Sequence, residues 1–370
     1  MNIGDEYKEI LDSRVRIGEL FERLDDDKVR CLACGHRCVI SSGKRGVCQI
    51  RYTRDSELFV PWGYVSALNN DPIEKKPLFH VLPGEGVLSF GMLGCNLRCP
   101  FCQNWEISQT LKDPRAVSRI IDITSEDIVN FALRLGDSMI ASTYNEPIIT
   151  TEWAVEIFKL AKSKGMLTIY VTNGYGTPEL IRYLAPHLDA ANVDLKSFRE
   201  ENYKWLGGKL EPVLDTIKGL AQAGVWIEIT TLIVPKFNDD PNELRDIADF
   251  IASISPDIPW HVTAFHPDYR VTDRPRTPTS TLLKAYDIGR QKLKYVYMGN
   301  VLAAEYESTY CPECGNRVIE RAWYNVIVKL DDDGRCPKCG TPINGIWRKS
   351  YKTDTKTQII RNPVKLKEVG

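Results

Sequence analysis

The sequence predicts an α/β fold in which six strand–helix units form a partial (β/α)6 barrel, with a small cysteine-rich segment on either side of it. Between residues 87 and 301, apolar runs of strand length alternate with amphipathic stretches of helix length, a pattern typical of βαβ units and a parallel sheet. Before and after this region, cysteines stand at the spacing of metal ligands. We therefore expect four regions: an N-terminal segment at 1–84, a core at 85–303, a second cysteine segment at 304–350 and a tail at 351–370.

The composition is that of a large soluble protein with more than one metal site. The chain has 370 residues, enough for one large domain with small additions, and its 48 basic residues balance 49 acidic ones. This near-zero net charge gives no overall field that would recruit nucleic acid or a membrane. Eleven clustered cysteines, with no signal peptide and no long apolar run, indicate metal ligation in a reducing compartment. We expect a cytoplasmic protein without membrane contact.

The N-terminal segment combines a predicted helix with a group of four cysteines. Residues 1–30 predict a surface helix, because apolar side chains between Ile10 and Leu24 recur at roughly helical spacing. The thiols that follow are a complete ligand set for a zinc ion or for an iron–sulfur cluster, and their spacing does not choose between the two. We favour zinc, since a structural zinc ion supplies about 10–16 kcal/mol toward folding a segment with no core of its own. This group, which we call the N-terminal cysteine site, consists of Cys31, Cys34, Cys38 and Cys48.

The core is expected to consist of six parallel strands joined by helices. Right-handed crossovers would curl these units into a partial, TIM-like barrel, in which the carboxyl ends of the strands carry the chemistry. The expected strands are 87–93, 138–143, 167–172, 189–195, 225–234 and 260–265. The clearest helical stretches are Ser125–Leu135, Thr151–Lys164, Pro178–Leu184, Glu211–Ala223 and Pro241–Ile254.

Three cysteines at spacing C-x3-C-x2-C directly follow the first expected strand. Cys95, Cys99 and Cys102 lie in the segment 94–105, which we call the cluster loop. Soft thiolate ligands suit an iron–sulfur cluster, and three of them on a cube of four irons leave one iron without a protein thiolate. A zinc knuckle is the alternative, but structural zinc needs four ligands, and no further cysteine or histidine follows before His187. We therefore expect a [4Fe–4S] cluster with one open iron.

The cluster loop resembles the signature of the radical S-adenosylmethionine (SAM) superfamily. The pattern C-x3-C-x-aromatic-C is matched by the three cysteines together with Phe101. This resemblance implies that the amino and carboxylate groups of SAM bind the open iron. It further implies that the reduced cluster cleaves SAM to a 5′-deoxyadenosyl radical.

The resemblance also implies which strand ends contact SAM. Glu146 matches the position of a Gly-Gly-Glu-like motif, although Tyr144 and Asn145 stand where that motif has glycines. Asp194 is expected to accept hydrogen bonds from the ribose, and Lys196 to neutralise the SAM carboxylate. No side chain is assigned a catalytic role. The full set of expected cofactor contacts is Phe101, Gln103, Thr143, Asn145, Glu146, Asn173, Asp194, Lys196 and His266.

A closer resemblance extends over residues 85–300. The order Asn-Glu-Pro, Thr-Asn-Gly, Asp-Leu-Lys and Phe-His is similar to that of the glycyl-radical-enzyme activases, such as pyruvate formate-lyase activating enzyme. Activases with additional cysteines carry them after the cluster loop, whereas here they precede it. The segments 71–78 and 102–108, together with the flanking cysteines, resemble the radical SAM enzymes of the AmmeMemoRadiSam group.

These resemblances imply an enzyme that abstracts hydrogen from a macromolecule and takes electrons from a ferredoxin- or flavodoxin-type donor. We favour a protein as the substrate, by analogy with the activases. The alternatives are an RNA-modifying enzyme of the same superfamily, or a binding scaffold in which every cysteine site is structural.

The second cysteine segment carries the motif C-P-x-C-G twice. Each copy presents two thiolates, and the glycine allows the tight turn, so the pair predicts a zinc ribbon within 304–350. A rubredoxin-like iron site is the alternative. The tail from residue 351 is polar, and we expect it to be frayed. We call the ribbon ligands, Cys311, Cys314, Cys336 and Cys339, the C-terminal cysteine site.

Overall fold

The structure, a computed structural model, describes residues 3–348 and 359–367. Its N-terminal segment consists mainly of short antiparallel strands. One helix, α1 (Ile3–Asp12), begins the described chain, and the expectation of a helix up to residue 30 is wrong beyond it. Asp26 and Asp27 both adopt left-handed φ angles (58° and 52°), and this hairpin turn folds the chain back on itself instead of continuing a helix.

The strands of this segment form two three-stranded sheets, in the orders β1-β6-β5 and β2-β3-β4. These six strands are β1 (Val15–Ile17), β2 (Phe21–Arg23), β3 (Lys28–Cys31), β4 (Val39–Ser41), β5 (Tyr52–Arg54) and β6 (Glu57–Pro61). A seventh strand, β7 (Tyr64–Val65), lies outside these two sheets.

A mixed eight-stranded sheet forms the core of the described chain, in the order β16-β15-β14-β13-β12-β11-β9-β8. Neighbours from β9 to β16 run parallel, and β8 pairs antiparallel with β9. This α/β sheet fits a partial, TIM-like barrel, with β8 and β16 added to the six expected strands. The strands are β8 (Ala67–Pro72), β9 (Gly86–Gly91), β10 (Ile121–Asp122, which pairs with β7), β11 (Met139–Ser142), β12 (Leu167–Thr172), β13 (Ala190–Asp194), β14 (Trp226–Ile233), β15 (Trp260–Ala264) and β16 (Val296–Gly299).

The helices between these strands begin and end at the residues that their capping signals indicate. Thr124 and Asp127 form a capping box at the start of α3, and Gly136 ends that helix at φ 77°. Asp240 caps α8 in front of Pro241. None of the helices in residues 3–348 and 359–367 is long and apolar enough to cross a membrane. The helices are α2 (Trp105–Ser108), α3 (Ser125–Leu135), α4 (Thr151–Ser163), α5 (Pro178–Leu184), α6 (Glu200–Leu206), α7 (Glu211–Gln222), α8 (Pro241–Ile254) and α9 (Thr279–Arg290).

The C-terminal segment packs as a small antiparallel unit with a core of its own. Tyr295 and Tyr297 of the barrel contribute to this core, together with Trp347 and two of the segment's cysteines. Part of the tail is ordered, because β21 pairs with β20, so the expectation of a frayed tail is wrong there. Residues 351–358 and 368–370 lie outside the described residues. The elements are α10 (Ala304–Glu307), β17 (Thr309–Tyr310), β18 (Arg317–Ala322), β19 (Asn325–Val328), β20 (Gly345–Arg348) and β21 (Ile359–Asn362).

Candidate functional site

The cluster loop leaves the carboxyl end of β9 and is fixed from both sides. Gly94 adopts φ 94°, and a Cβ atom there would lie 3.1 Å from Cγ2 of Ile50, so glycine suits this left-handed position best. Lys112 donates a hydrogen bond of 2.6 Å to the carbonyl oxygen of Cys95. The backbone amide of Arg98 donates to the carbonyl oxygen of Leu206 at 2.9 Å. The loop is thus held in place by the chain itself.

The three cysteines of this loop line one cavity of about 310 Å³, which we call the central cavity. Burial raises the pKa of all three thiols, that of Cys99 to about 12. A thiol in such surroundings ionises readily only when a cation compensates its charge. A metal group bound by Cys95, Cys99 and Cys102 would supply that charge.

The spread of the three sulfur atoms fits a cluster better than a single ion. Four thiolates on one zinc ion lie close together, since each Zn–S bond is about 2.3 Å. Within the part of the chain that the structure describes, only the C-terminal cysteine site brings three or more such ligand atoms within 4.8 Å of one another. At least one pair of sulfur atoms in the central cavity therefore lies more than 4.8 Å apart, which is wider than for ligands of one zinc ion and suits thiolates that bind different irons of a cube.

A buried donor without a partner adds to this fit. Asn96 follows the first cysteine and is 1% exposed, and its Nδ2 atom has no hydrogen-bond partner among the described residues. An unsatisfied buried donor costs about 1–3 kcal/mol, so such donors are rare in folded proteins. The Oδ1 atom of the same amide lies 3.8 Å from the sulfur of Cys95, so this side chain stands beside the first expected ligand.

Eight of the nine expected cofactor contacts line the central cavity, at the carboxyl ends of neighbouring strands. They come from the cluster loop and from the ends of β11, β12 and β13, so the parallel register brings them to one edge of the sheet. These residues are Phe101, Gln103, Thr143, Asn145, Glu146, Asn173, Asp194 and Lys196.

Glu146 organises the polar wall of the cavity. One carboxylate oxygen accepts hydrogen bonds from the amide of Ile148 (3.1 Å) and the hydroxyl of Thr172 (2.5 Å), and the other accepts from the amide of Asn173 (2.8 Å). Burial raises the pKa of Glu146 to about 7, although these donors oppose the shift. The side chain thus fixes the turns after β11 and β12 while it faces the cavity.

Asp194 and Lys196 form an ion pair at the end of β13. The Nζ atom of Lys196 lies 2.8 Å from Oδ2 of Asp194. Burial alone would lower the pKa of Lys196, but the charge of Asp194 raises it overall. The lysine is therefore a fixed cation at the cavity wall, as an anionic ligand group requires.

One of the two residues that replace the expected glycines keeps a glycine-like backbone. Tyr144 adopts φ 70°, a left-handed conformation rare for aromatic residues. Its hydroxyl donates to Asp71, and Nζ of Lys76 lies 4.3 Å from the centre of its ring. Asn145 accepts a hydrogen bond of 3.0 Å from the amide of Met92. Both polar groups are thus bonded to protein atoms beside the cavity.

His266 is the predicted contact that does not line the central cavity. Strand β15 ends at Ala264, and the buried Phe265 follows, so the chain has turned outward at His266. This side chain is exposed and lines a neighbouring cleft of about 320 Å³, which we call the side cleft. The side cleft shares Lys75, Pro77, Gln103, Thr263 and Asn300 with the central cavity, so the two lie side by side.

Several residues of the central cavity were not predicted. Thr230 and Leu232 on β14 and Thr263 on β15 alternate with outward-facing residues, a period of two that could have identified them. Lys75 and Asn300 had no such signal, because β8 and β16 were not expected. Asn300 follows β16 directly, at φ 59°.

The C-terminal cysteine site has the geometry of a metal site, with all four sulfur atoms within 4.8 Å of one another. The Cys311–Cys339 and Cys314–Cys336 sulfur pairs lie 3.5 and 3.6 Å apart, too far for disulfides and suited to one tetrahedral ion.

Comparison with known proteins agrees with this geometry. Residues 91–251 match the family model described as the Radical SAM superfamily. An uncharacterized protein of Methanocaldococcus jannaschii is 41% identical over 89% of this chain and 99% of its own length. The pyruvate formate-lyase-activating enzyme of Clostridium pasteurianum is 27% identical over 44% of this chain and 67% of its own length.

The isethionate sulfite-lyase activating enzyme of Desulfovibrio desulfuricans is 26% identical over 51% of this chain and 54% of its own length. A domain of a pyruvate-formate lyase-activating enzyme from Bacteroides vulgatus aligns with TM-score 0.39 and 17% identity, covering 43% of this chain and 98% of that one. The chain belongs to the radical SAM superfamily and is an enzyme related to the glycyl-radical-enzyme activating enzymes.

Proposed function

We propose that this enzyme cleaves SAM reductively in the central cavity and abstracts a hydrogen atom from a protein substrate. The observation that carries this proposal is the meeting of three widely spaced cysteines with eight polar or aromatic strand-end residues in one cavity. Cys95, Cys99 and Cys102 would hold the [4Fe–4S] cluster. When bound, that cluster supplies the electron that breaks a carbon–sulfur bond of SAM and yields the 5′-deoxyadenosyl radical.

The chain's own residues would bind and orient SAM. Lys196 is the cation available for the methionine carboxylate, and Asp194 beside it is the acceptor for ribose hydroxyls. Glu146 and Asn173 would hold the amino group near the open iron. Since Glu146 already fixes two turns, its removal should distort the cavity as well as weaken the binding of SAM.

The side cleft is the proposed place of the substrate. It adjoins the central cavity and opens between the barrel and the hairpin of β18 and β19, which we call the C-terminal hairpin. Trp323 and Tyr324 at the turn of this hairpin are about half exposed. Exposed aromatic side chains beside Arg276 and His266 are typical of protein-binding surfaces. The relatives named as activating enzymes support a protein substrate, and they give no support to RNA. We propose zinc at the C-terminal cysteine site and a ferredoxin- or flavodoxin-type electron donor.

The test is turnover of labelled SAM by the anaerobically reconstituted enzyme. With a strong reductant, the wild type should release 5′-deoxyadenosine, and deuterated proteins of the source cell should transfer deuterium into it when the true substrate is present. Cys99→Ala should abolish the product. A colourless protein that holds only zinc would contradict the proposal, and deuterium transfer from RNA alone would overturn its substrate half.

Variants of the cavity wall separate binding from chemistry. Lys196→Met removes a charge-assisted contact worth about 1.5–3 kcal/mol, so the Kd for SAM should rise by roughly 10- to 100-fold. His266→Ala, outside the central cavity, is the matched control and should leave the Kd for SAM unchanged. Equal effects of the two variants would contradict the assignment of Lys196.

A further inference from the structure

The N-terminal cysteine site differs in geometry from the C-terminal one. Each site has four thiols. Within residues 3–348 and 359–367, only the C-terminal site has three or more ligand atoms that all lie within 4.8 Å of one another. The N-terminal thiols, like those of the cluster loop, are not gathered within this distance. A single zinc ion needs four sulfur atoms about 2.3 Å from one centre, whereas a cluster spreads its thiolates over several irons. Geometry thus favours a cluster where the sequence favoured zinc.

The surroundings of these thiols are buried and carry one fixed cation. Cys31, Cys34 and Cys48 are each under 8% exposed. The guanidinium of Arg51 lies 3.7 Å from the sulfur of Cys31 and is itself 1% exposed. A buried hydrogen bond to a ligand sulfur stabilises negative charge on a cluster and raises its reduction potential.

The N-terminal cysteine site packs directly against the cluster loop. The carbonyl oxygen of Cys48 lies 3.4 Å from the Cβ position of Gly94, the residue before Cys95. On the other side, Nε2 of His36 donates to the carbonyl oxygen of Asn96 at 2.8 Å. Each of these contacts thus lies within two residues of a ligand at both sites.

One edge of the N-terminal site faces the surface. Cys38 is half-buried, and its neighbours Val39 and Val47 are 54% and 46% exposed. The amide of Val47 lies 3.5 Å from the sulfur of Cys38. This apolar edge puts a ligand sulfur within reach of a docked protein, and Val47 on this edge lines one pocket with Asn96 and Leu97 of the cluster loop.

We propose that Cys31, Cys34, Cys38 and Cys48 hold a second iron–sulfur cluster, through which electrons from a ferredoxin- or flavodoxin-type donor reach the cluster loop. In each transfer the donor is oxidised by one electron. The second cluster is reduced and then reoxidised, and the cluster at Cys95, Cys99 and Cys102 gains that electron. The relay rests on the proposed function of the cluster loop, whereas the identity of the second cluster does not.

The first experiment tests the second cluster in the absence of the first. The variant with Cys95, Cys99 and Cys102 all changed to alanine is reconstituted anaerobically, and its iron, sulfide and zinc contents and its EPR spectrum are measured. We expect about half of the wild-type iron to remain, with a reduced-state signal that SAM does not change. A colourless variant with about two zinc ions per chain would overturn the proposal.

The wild type tests the proposed function separately. A SAM-sensitive signal from the wild type that is lost in this triple variant belongs to the cluster loop, whatever the residual signal shows. The converse variant, with Cys31, Cys34 and Cys38 changed to alanine, should keep the SAM-sensitive signal and lose the insensitive one. If the converse variant does not fold, the triple variant at the cluster loop still decides.

The second experiment tests the relay by rapid mixing. When reduced flavodoxin is the donor, Cys38→Ala should lose the fast phase of reduction of the cluster held by the cluster loop. Reduction of the same cluster by dithionite needs no docking, so its rate should not change. The matched control is Lys338→Ala, at an exposed residue beside the C-terminal cysteine site. It should keep the fast phase with flavodoxin and the rate of reduction by dithionite. An unchanged fast phase in a Cys38→Ala protein that lacks the second cluster would overturn the relay.

Discussion

The two four-cysteine sites meet opposite ends of the barrel strands. The N-terminal site contacts the cluster loop after β9 and the turn after β12, both at carboxyl ends, where α/β barrels carry their chemistry. The C-terminal site shares its core with Tyr295, at the amino end of β16. At this end barrels place residues that serve stability. On the proposed relay, one set of four thiols serves electron transfer at the carboxyl ends and the other set serves folding at the amino ends, and the position of each site in the fold distinguishes the two roles.

Removing the C-terminal metal should have the largest effect on structure. Cys336 is 1% exposed, and a structural zinc ion is worth about 10–16 kcal/mol to the segment that it folds. Cys336→Ala should therefore unfold the ribbon, seen as rapid amide hydrogen exchange over 309–347, while the central sheet stays protected. Lys338→Ala in the same turn is the control. Unchanged exchange in Cys336→Ala would show that the ribbon does not need its metal.

The N-terminal segment is anchored to the barrel by a buried ion pair. Arg51 and Glu152 are both 1% exposed in their side chains and bonded to each other, and Arg51 also donates to the carbonyl oxygen of Ile149 at 2.8 Å. Breaking a buried pair leaves an uncompensated charge, so Arg51→Met should lower the free energy of unfolding by about 3–5 kcal/mol, measured by urea denaturation.

An exposed pair in the same region is the matched control for this variant. Arg16 and Glu156 are 60% and 40% exposed, and Arg16→Met should cost less than about 1 kcal/mol. Equal losses from the two variants would mean that the N-terminal segment is not held through Arg51.

Acid should loosen the amino-end contact through His80. Its Nδ1 donates to the carbonyl oxygen of Asn344 and its Nε2 accepts from Tyr297, each at 2.6 Å, and burial lowers its pKa to about 4. The unfolded chain binds this proton near pH 6.5 but the folded chain only near pH 4, so stability falls as the pH drops through this window, by roughly 3 kcal/mol at most.

Urea midpoints measured from pH 7 to pH 4 check this sign. The wild type should lose stability more steeply than His80→Phe, which has no group to protonate at this position. Parallel curves for the two proteins would exclude His80 as the source of the acid sensitivity.

The smallest expected effect concerns the ribbon tip at the side cleft. Trp323→Ala should leave SAM cleavage without substrate unchanged and lower kcat/KM for the protein substrate several-fold, since a truncated aromatic contact costs about 1–2 kcal/mol. Lys329→Ala, at the base of the same hairpin, should change neither rate. A Trp323→Ala enzyme with wild-type kcat/KM would confine the C-terminal segment to a structural role.

Sequence reasoning located the strand ends better than the edges of the fold. Helix α3 matches its predicted bounds because Thr124 and Gly136 mark its limits locally. Strands β8 and β16 were missed, since β8 is polar at Asn69 and Asn70 and β16 has only four residues. Pairing of these edge strands places Lys75 and Asn300 at the site. Such pairing is a tertiary contact, which no local sequence pattern predicts.

Local patterns also failed where burial overrides composition. Lys76 and His80 have the composition of a solvated rim, yet they are 3% and 0% exposed, because Asp71 pairs with the lysine and Tyr297 with the histidine. The predicted site residue His266 faces the side cleft, since the strand before it ends at Ala264, one residue earlier than predicted. Partners that are distant in sequence decided each of these positions.

The central claim is that Cys95, Cys99 and Cys102 hold a cluster whose open iron binds SAM. Electron–nuclear double resonance on the reduced enzyme, with SAM labelled with ¹⁵N at its amino group, tests this most directly. We expect a nitrogen coupling to the cluster spin that is absent without SAM and absent in Cys99→Ala. The claim would be contradicted if labelled SAM, at a concentration at which it binds to the protein, left the spectrum of the reduced cluster unchanged.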